Sequence, residues 1–346
     1  MSSNKFIHLI PYDGIGGVER AADSMRSVST EDIDFHVETI FPPKAAKSKW
    51  IIWNPWYFLF AVVRLWKSRP DVLVVSLWRA YVVGIFVKLL RPKLRLVVFL
   101  HFPQAVHGPD MFFTRMGTFL ASRVWADSKE TLNRRVPALK AEKGHVISFV
   151  TDRIAALPSA SVRPNFVFWG RLHAQKGLIR AMKIFAAIKT RCPIAQFWII
   201  GPDGGVLDRI QRELAALGLG DAVHLLGPKN FTEIQQLAGN ASFYLQTSEL
   251  EGMAMSVVEA MQLGLVPVVT PVGEIAHYAR HGKNALVVSD DSSTVEDVFE
   301  LLENDSLYQS VRGLAVATWA DRPLYINSVL TACDEVLRAN KPSDVK

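Results

Sequence analysis

Short apolar runs rich in β-branched and aromatic residues alternate with stretches of helical period along almost the whole chain, a pattern that demands a parallel sheet covered by helices. In the first half the runs are Lys5–Ile10, Asp34–Ile40, Val72–Ser76 and Leu94–Leu100, with shorter ones at Arg123–Ala126 and His145–Ser148. A polar segment at Thr151–Pro164 then breaks the pattern with two prolines and no periodicity. After it the alternation restarts, with strands expected at Asn165–Trp169, Ala195–Ile200, Ala222–Leu226, Ser242–Leu245, Val266–Val269 and Ala285–Val288. Helices are expected from about Gly17 and over Gly177–Arg191, Val206–Leu217, Thr232–Gly239 and Met255–Gly264. The chain therefore reads as α/β, with two doubly wound domains over residues 1–155 and 160–320 and a helix in 321–346 that is expected to pack back on the first.

Size agrees with two domains. A chain of 346 residues exceeds what one core usually organises, and 49% apolar residues suffice for two. Cys192 and Cys333 are the only cysteines and stand in no metal-ligand or redox spacing, which excludes a disulfide framework, a zinc site and thiol redox chemistry. Met1–Pro11 holds one short apolar run without a cleavage-site pattern, so no signal peptide and a cytoplasmic location are expected.

Charge is concentrated. Residues 1–160 carry 22 Lys and Arg against 13 acids, residues 161–346 carry 17 against 20, and between Lys44 and Arg95 eleven cations face the single acid Asp71. An anionic partner is expected there. Within it, Lys44–Arg69 (KAAKSKWIIWNPWYFLFAVVRLWKSR) sets four tryptophans in an apolar run flanked by cations. Pro55 and Arg64 interrupt the run too early for a bilayer span. Lying in the headgroup region of an anionic membrane is one reading, a buried helix with a solvated basic rim is another, and nucleic acid is disfavoured because the aromatics cluster with aliphatics.

Four segments carry candidate chemistry. In Ser248–Gly264 (SELEGMAMSVVEAMQLG), Glu251 sits in a loop after a strand and Glu259 in the following helix, seven residues lying between them. A loop-to-helix junction offers free N–H groups, here those of Met255 and Ser256, and the positive end of a helix dipole to a diphosphate. In Phe168–Gly177 (FWGRLHAQKG), Arg171 and Lys176 leave the first strand of the second domain and can reach two phosphates. Asp13–Arg20 (DGIGGVER) places Gly16 and Gly17 where backbone approaches a ligand, and His101 ends the apolar strand LRLVVFL. His107 and the pair Asp127–Ser128 are weaker candidates at neighbouring strand ends.

The Glu251–Glu259 spacing, with the tail Glu259-Ala-Met-Gln-Leu-Gly-Leu-Val-Pro-Val-Val, resembles the E-x7-E motif of family-4 glycosyltransferases, and Arg171…Lys176-Gly177 resembles their G-R-x(3,4)-K-G pattern. The resemblance implies the GT-B fold, two Rossmann-like domains facing a central cleft, and retaining transfer of a hexose from a nucleotide diphosphate sugar. It implies that Glu251 meets the donor sugar, Glu259 the ribose, Arg171 and Lys176 the diphosphate, His101 the sugar again, and Gly16 and Gly17 the acceptor side. With no metal cluster or Asp-x-Asp dyad in the sequence, no metal and no cofactor are expected, and the tryptophan-rich stretch points to a glycan or lipid-linked acceptor of lipopolysaccharide or exopolysaccharide synthesis at the inner membrane face. Departures are Ala254 where the family has glycine, the shortened Val272-Gly273-Glu274, and Ser148–Asp152 in place of a proline-asparagine-glycine-valine-aspartate segment. An NAD-binding reading of the Gly16–Gly17 loop is opposed by Glu19, which stands where the third glycine of that fingerprint belongs. The remaining alternatives are a nucleotide-sugar epimerase, an NAD-linked oxidoreductase and an inactive scaffold subunit.

Overall fold

A computed structural model of the chain describes residues 3–13, 17–26, 28–42, 49–136, 142–158 and 160–338. The chain divides into two units, one of residues 1–152 and 323–346, the other of Arg153–Arg322.

The first unit holds β1 (Asn4–Ile10), α1 (Gly17–Asp23), β2 (Ile33–Thr39), α2 (Lys49–Trp53), α3 (Pro55–Ser68), β3 (Val72–Ser76), α4 (Trp78–Leu90), β4 (Arg95–Leu100), α5 (Gly108–Leu120), β5 (Arg123–Ala126), α6 (Lys129–Arg135) and β6 (Gly144–Val146). Its six strands are all parallel, in the order β2-β1-β3-β4-β5-β6. The central runs Val72–Ser76 and Leu96–Leu100 are buried throughout, as strands covered on both faces must be. One layer of core joins Ile7, Leu9, Val75 and Val98 of the sheet to Leu65 of α3 and Val83 of α4.

The second unit holds β7 (Asn165–Trp169), α7 (Leu178–Arg191), β8 (Gln196–Ile200), α8 (Leu207–Ala216), β9 (Val223–Leu225), α9 (Phe231–Ala238), β10 (Phe243–Gln246), α10 (Met255–Leu263), β11 (Val266–Val269), α11 (Ile275–Tyr278), β12 (Leu286–Val287), α12 (Asp291–Glu303) and α13 (Asp305–Ala320). The last helix, α14 (Tyr325–Arg338), belongs to the first unit, where the backbone N–H of Tyr325 donates to the carbonyl of Val150 and Ser328 Oγ accepts from Ser148 N. The second sheet is again all parallel, ordered β12-β11-β10-β7-β8-β9. Pro267 is tolerated in β11 because β12 pairs only from Val268 onward.

Both orders contain one reversal, between β1 and β3 in the first sheet and between β7 and β10 in the second. At such a switch point successive connections diverge, and the gap left at the carboxyl ends of the two strands is where open α/β sheets hold ligands.

Candidate functional site

At the switch point of the second sheet, polar side chains from β7, β10 and α10 form one connected network. Lys176 follows β7 in a short 3-10 turn at Ala174–Lys176, and its Nζ donates to Oε1 of Glu251 at 2.7 Å. The same oxygen accepts from Ser248 Oγ at 2.7 Å and from Gln246 Nε2 at 3.1 Å. Oε2 of Glu251 accepts from no described residue. Gln246 Oε1 and Ser256 Oγ both lie 2.8 Å from the Tyr244 hydroxyl, and Glu259 Oε2 accepts from the indole N–H of Trp169 at 2.7 Å. Burial pushes the Tyr244 phenol well above its ordinary pKa, so it remains a protonated donor. Glu251 and Glu259 are both buried, and a buried carboxylate is tolerated only with partners of this kind.

Two glycines make this geometry possible. Gly177 has φ 65°, and a Cβ there would lie 1.8 Å from the carbonyl oxygen of Thr247. Its absence lets the loop after β7 lie against the end of β10, which brings Lys176 to Glu251. Gly273, at φ 56°, plays the same part behind the Glu251 loop, where a Cβ would stand 2.1 Å from the Glu251 carbonyl oxygen. Glu274 N, Thr270 Oγ1 and Tyr278 OH bond to the carbonyls of Gly252, Ser248 and Met253, fixing the loop from that side.

The start of α10 is unusual. Ala254, its N-cap, is held in the left-handed region at φ 56° and ψ 65° and makes no side-chain cap. Such a conformation costs a non-glycine residue about 1 kcal/mol. The N–H groups of Val257 and Val258 return to Ala254 O, while those of Met255 and Ser256 find no acceptor among the described residues. The helix thus presents two free donors beside Glu251, where the dipole favours an anion. Gly177, Thr247 and Ser248 also line an open pocket of about 770 Å³ whose rim carries Arg180, Lys183 and Arg209.

The structure brings together Lys176, Glu251, Ser256 and Glu259 through Trp169, Tyr244, Gln246 and Ser248. Arg171 stands apart, exposed and without a hydrogen bond or ion pair to any described residue.

At the switch point of the first sheet the polar group is different. His101 is buried, and its Nε2 lies 2.9 Å from Ser76 Oγ, which lies 2.7 Å from Nε2 of His8. The Nδ1 atoms of both rings are buried without a hydrogen-bond partner among the described residues. Burial pushes both imidazoles down to about 3, so they are neutral at physiological pH. A neutral His101 suits contact with an uncharged ligand group and is unsuited to proton transfer near pH 7. Gly17 opens α1, whereas Gly16 lies outside the described residues. His107 and Ser128 are helix caps, accepting from Asp110 N and Thr131 N, and Asp127 is buried. Among the described residues no three His, Cys, Asp or Glu side chains group as metal ligands.

Sequence reasoning missed Trp169, Tyr244, Gln246, His8 and Ser76. Each stands inside an apolar run and reads as core. The available signal was a polar atom near the carboxyl end of a buried parallel strand, where it is useful only to a ligand or a network.

Residues 151–313 match the model of the family Glycosyl transferases group 1. The chain is 29% identical over 145 residues to the uncharacterized glycosyltransferase YqgM of Bacillus subtilis, covering 42% of this chain and 40% of that one. It is 24% identical over 199 residues to the GDP-mannose:cellobiosyl-diphosphopolyprenol alpha-mannosyltransferase of Xanthomonas campestris, covering 56% and 52%. The chain thus spans about half the length of these curated relatives, or less. Among solved structures it is similar to Anabaena Alr3699/HepE in complex with UDP, with a TM-score of 0.78 at 19% identity over 96% of this chain and 100% of that one. The fold is GT-B, two Rossmann-like α/β units.

Proposed function

We propose that the chain is a retaining family-4 glycosyltransferase that moves a hexose from a nucleotide diphosphate sugar to a glycan or lipid-linked acceptor at the cytoplasmic face of the membrane. The observation that carries the reading is the network joining Lys176, Glu251 and Glu259 beside two free N–H groups of α10. In this reading the donor diphosphate lies against Lys176 and the N–H groups of Met255 and Ser256, with Arg171 free to reach it from the exposed loop. Glu259 accepts from the ribose hydroxyls, and Glu251, through its open Oε2, accepts from a hydroxyl of the hexose.

The bond between the anomeric carbon and the diphosphate oxygen breaks as the acceptor oxygen bonds to that carbon on the same face. The acceptor proton passes to the departing phosphate oxygen. Charge grows on the leaving group, and a cation with two aligned N–H donors stabilises it more than the ground state, which is what accelerates the step. No metal enters this scheme. The match to a family of glycosyl transferases, a relative named for GDP-mannose and a diphosphopolyprenol-linked sugar, and a structural neighbour solved with UDP and UDP-glucose support the donor and acceptor classes. Membrane location rests on the basic stretch Lys44–Arg95 and its tryptophans.

The test is a panel of nucleotide sugars with a polyprenyl-diphosphate glycan, run with wild type, Glu251→Ala and Lys176→Ala in the presence and absence of chelator. Wild type is expected to turn over one donor irrespective of chelator, with both variants lowered at least about a hundredfold. Near-normal turnover in either variant contradicts the site, and product of inverted configuration contradicts the stereochemistry.

A further inference from the structure

Large exposed apolar side chains are unevenly shared between the two units. Among the described residues of the second they are Ile194 and Leu314, whereas the first has them on α2, α3, α4 and α5 and, at Val106, in the loop before α5. α3 has two apolar faces. Ala61, Val62 and Leu65 enter the core, while Trp56, Leu59, Phe60, Val63 and Trp66 recur at helical spacing on the other face and are exposed, Phe60 at 66%. A helix apolar on all sides needs a cover on its outer face as well.

α4 packs between α3 and α5 and continues the surface with Phe86, Leu89 and Leu90. α5 extends it with Met111, Phe112 and Phe119, the last 71% exposed. An aromatic seam links the elements, Trp53 of α2 meeting Trp78 at 6.0 Å and Trp78 meeting Phe113 at 6.3 Å. From Trp50 to Phe119 the acids are Asp71 and the buried Asp110, against nine lysines and arginines. Lys67, Arg69 and Lys93 are exposed where α3 and α4 end. Arg79 lies 5.1 Å from the ring of Trp53 and 4.5 Å from that of Trp78, and its Nε is buried without a hydrogen-bond partner among the described residues.

We propose that α3, α4 and α5 form one docking face for an anionic lipid bilayer, their outer apolar side chains at headgroup depth and Arg79 against a lipid phosphate. None of the three is long and apolar enough to cross a membrane, which leaves them lying in its plane. Charge complementarity selects the occupant, because an apolar surface interspersed with cations and nearly free of acids matches phosphate headgroups over acyl chains. Two such surfaces on copies of this chain would repel through those cations. The inference deepens the membrane part of the proposed function by moving the surface beyond the tryptophan-rich stretch onto α4 and α5, and it is independent of the donor chemistry.

Flotation with vesicles of phosphatidylcholine, alone or mixed with phosphatidylglycerol, tests it on the full chain. Wild type is expected to float with the mixed vesicles and far less with phosphatidylcholine alone. The pair Phe60→Ser/Trp66→Ser on α3 and the pair Phe86→Ser/Phe119→Ser on α4 and α5 should each weaken binding at least about tenfold, with an unchanged melting temperature. Leu89→Gln/Leu90→Gln replaces the second pair if that one melts early. Nucleotide diphosphate titrated into the same samples reads the donor site separately and should respond equally in all. Wild type that stays with the unbound fraction overturns the proposal. So does an α4/α5 pair that floats like wild type, since docking is then confined to the tryptophan-rich segment, and so does a stable dimer that the substitutions disperse without any vesicle binding.

Discussion

The two sheets place polar groups at the same topological position and treat them oppositely. At the reversal between β1 and β3, two imidazoles share one serine hydroxyl among aromatic rings, stay neutral, and keep a buried nitrogen each without a partner among the described residues. At the reversal between β7 and β10, a lysine and two glutamates lie in a network that reaches both carboxylates. Charge survives burial in the second place because every ion has partners, and the first place holds only groups that can give up their charge. The same fold thus holds charged groups at one switch point and neutral ones at the other.

The largest effect that breaks this contrast is expected in the second unit. Gly177→Ala would drive a Cβ into the Thr247 carbonyl in a left-handed backbone, and should lower stability by about 3 kcal/mol or more, read as a collapse of soluble yield or melting temperature. Lys176→Ala leaves Glu251 buried with two neutral donors, and a stability loss of about 3 kcal/mol should accompany its loss of turnover in denaturant titration.

The pH response sharpens the other half. His8 and His101 hold folded values near 3 against about 6.5 unfolded, so below about 6.5 the unfolded chain binds protons that the folded one refuses. Their effect is nil above about 6.5, and stability falls progressively from there down to about 3. By pH 5 the loss is about 2 kcal/mol for each histidine. The double variant His8→Gln/His101→Gln should flatten the melting temperature between pH 7 and pH 5, and an equally steep profile would show that the rings are accessible.

Smaller effects follow from positioning. Trp169→Phe removes the donor to Glu259 and should raise the donor KM about tenfold with kcat nearly unchanged, since the indole acts only through that carboxylate. Ala254→Gly relieves a left-handed alanine and should stabilise the chain by roughly 0.5–1 kcal/mol without lowering turnover.

Much of the fold was legible in the sequence because a buried parallel strand is a continuous apolar run and has few disguises. Val72–Ser76, Arg123–Ala126, Asn165–Trp169 and Val266–Val269 have the bounds expected, and the other strands differ by one or two residues at an end, where pairing rather than composition decides. Among the site residues, Lys176, Glu251, Ser256 and Glu259 were visible as charged or polar groups after strands. Trp169, Tyr244 and Gln246 were not, because their polar atoms act only once β7 and β10 are neighbours, a fact of strand order that local pattern does not contain. Arg171 shows the converse, a motif position that the folded chain leaves out of the network. Ala254 is legible in the sequence as a departure from glycine, and its physical meaning lies in its left-handed backbone angle.

The central claim is that Lys176, Glu251 and the start of α10 hold a diphosphate. The most direct test is the melting temperature of wild type and Lys176→Gln with saturating UDP or GDP. A ligand that binds only the folded state must raise it, by an amount set by concentration over Kd. The account predicts a clear rise for one of the two nucleotides in wild type and its near-complete loss in the variant. No rise with either nucleotide, or an equal rise in both proteins, would contradict it.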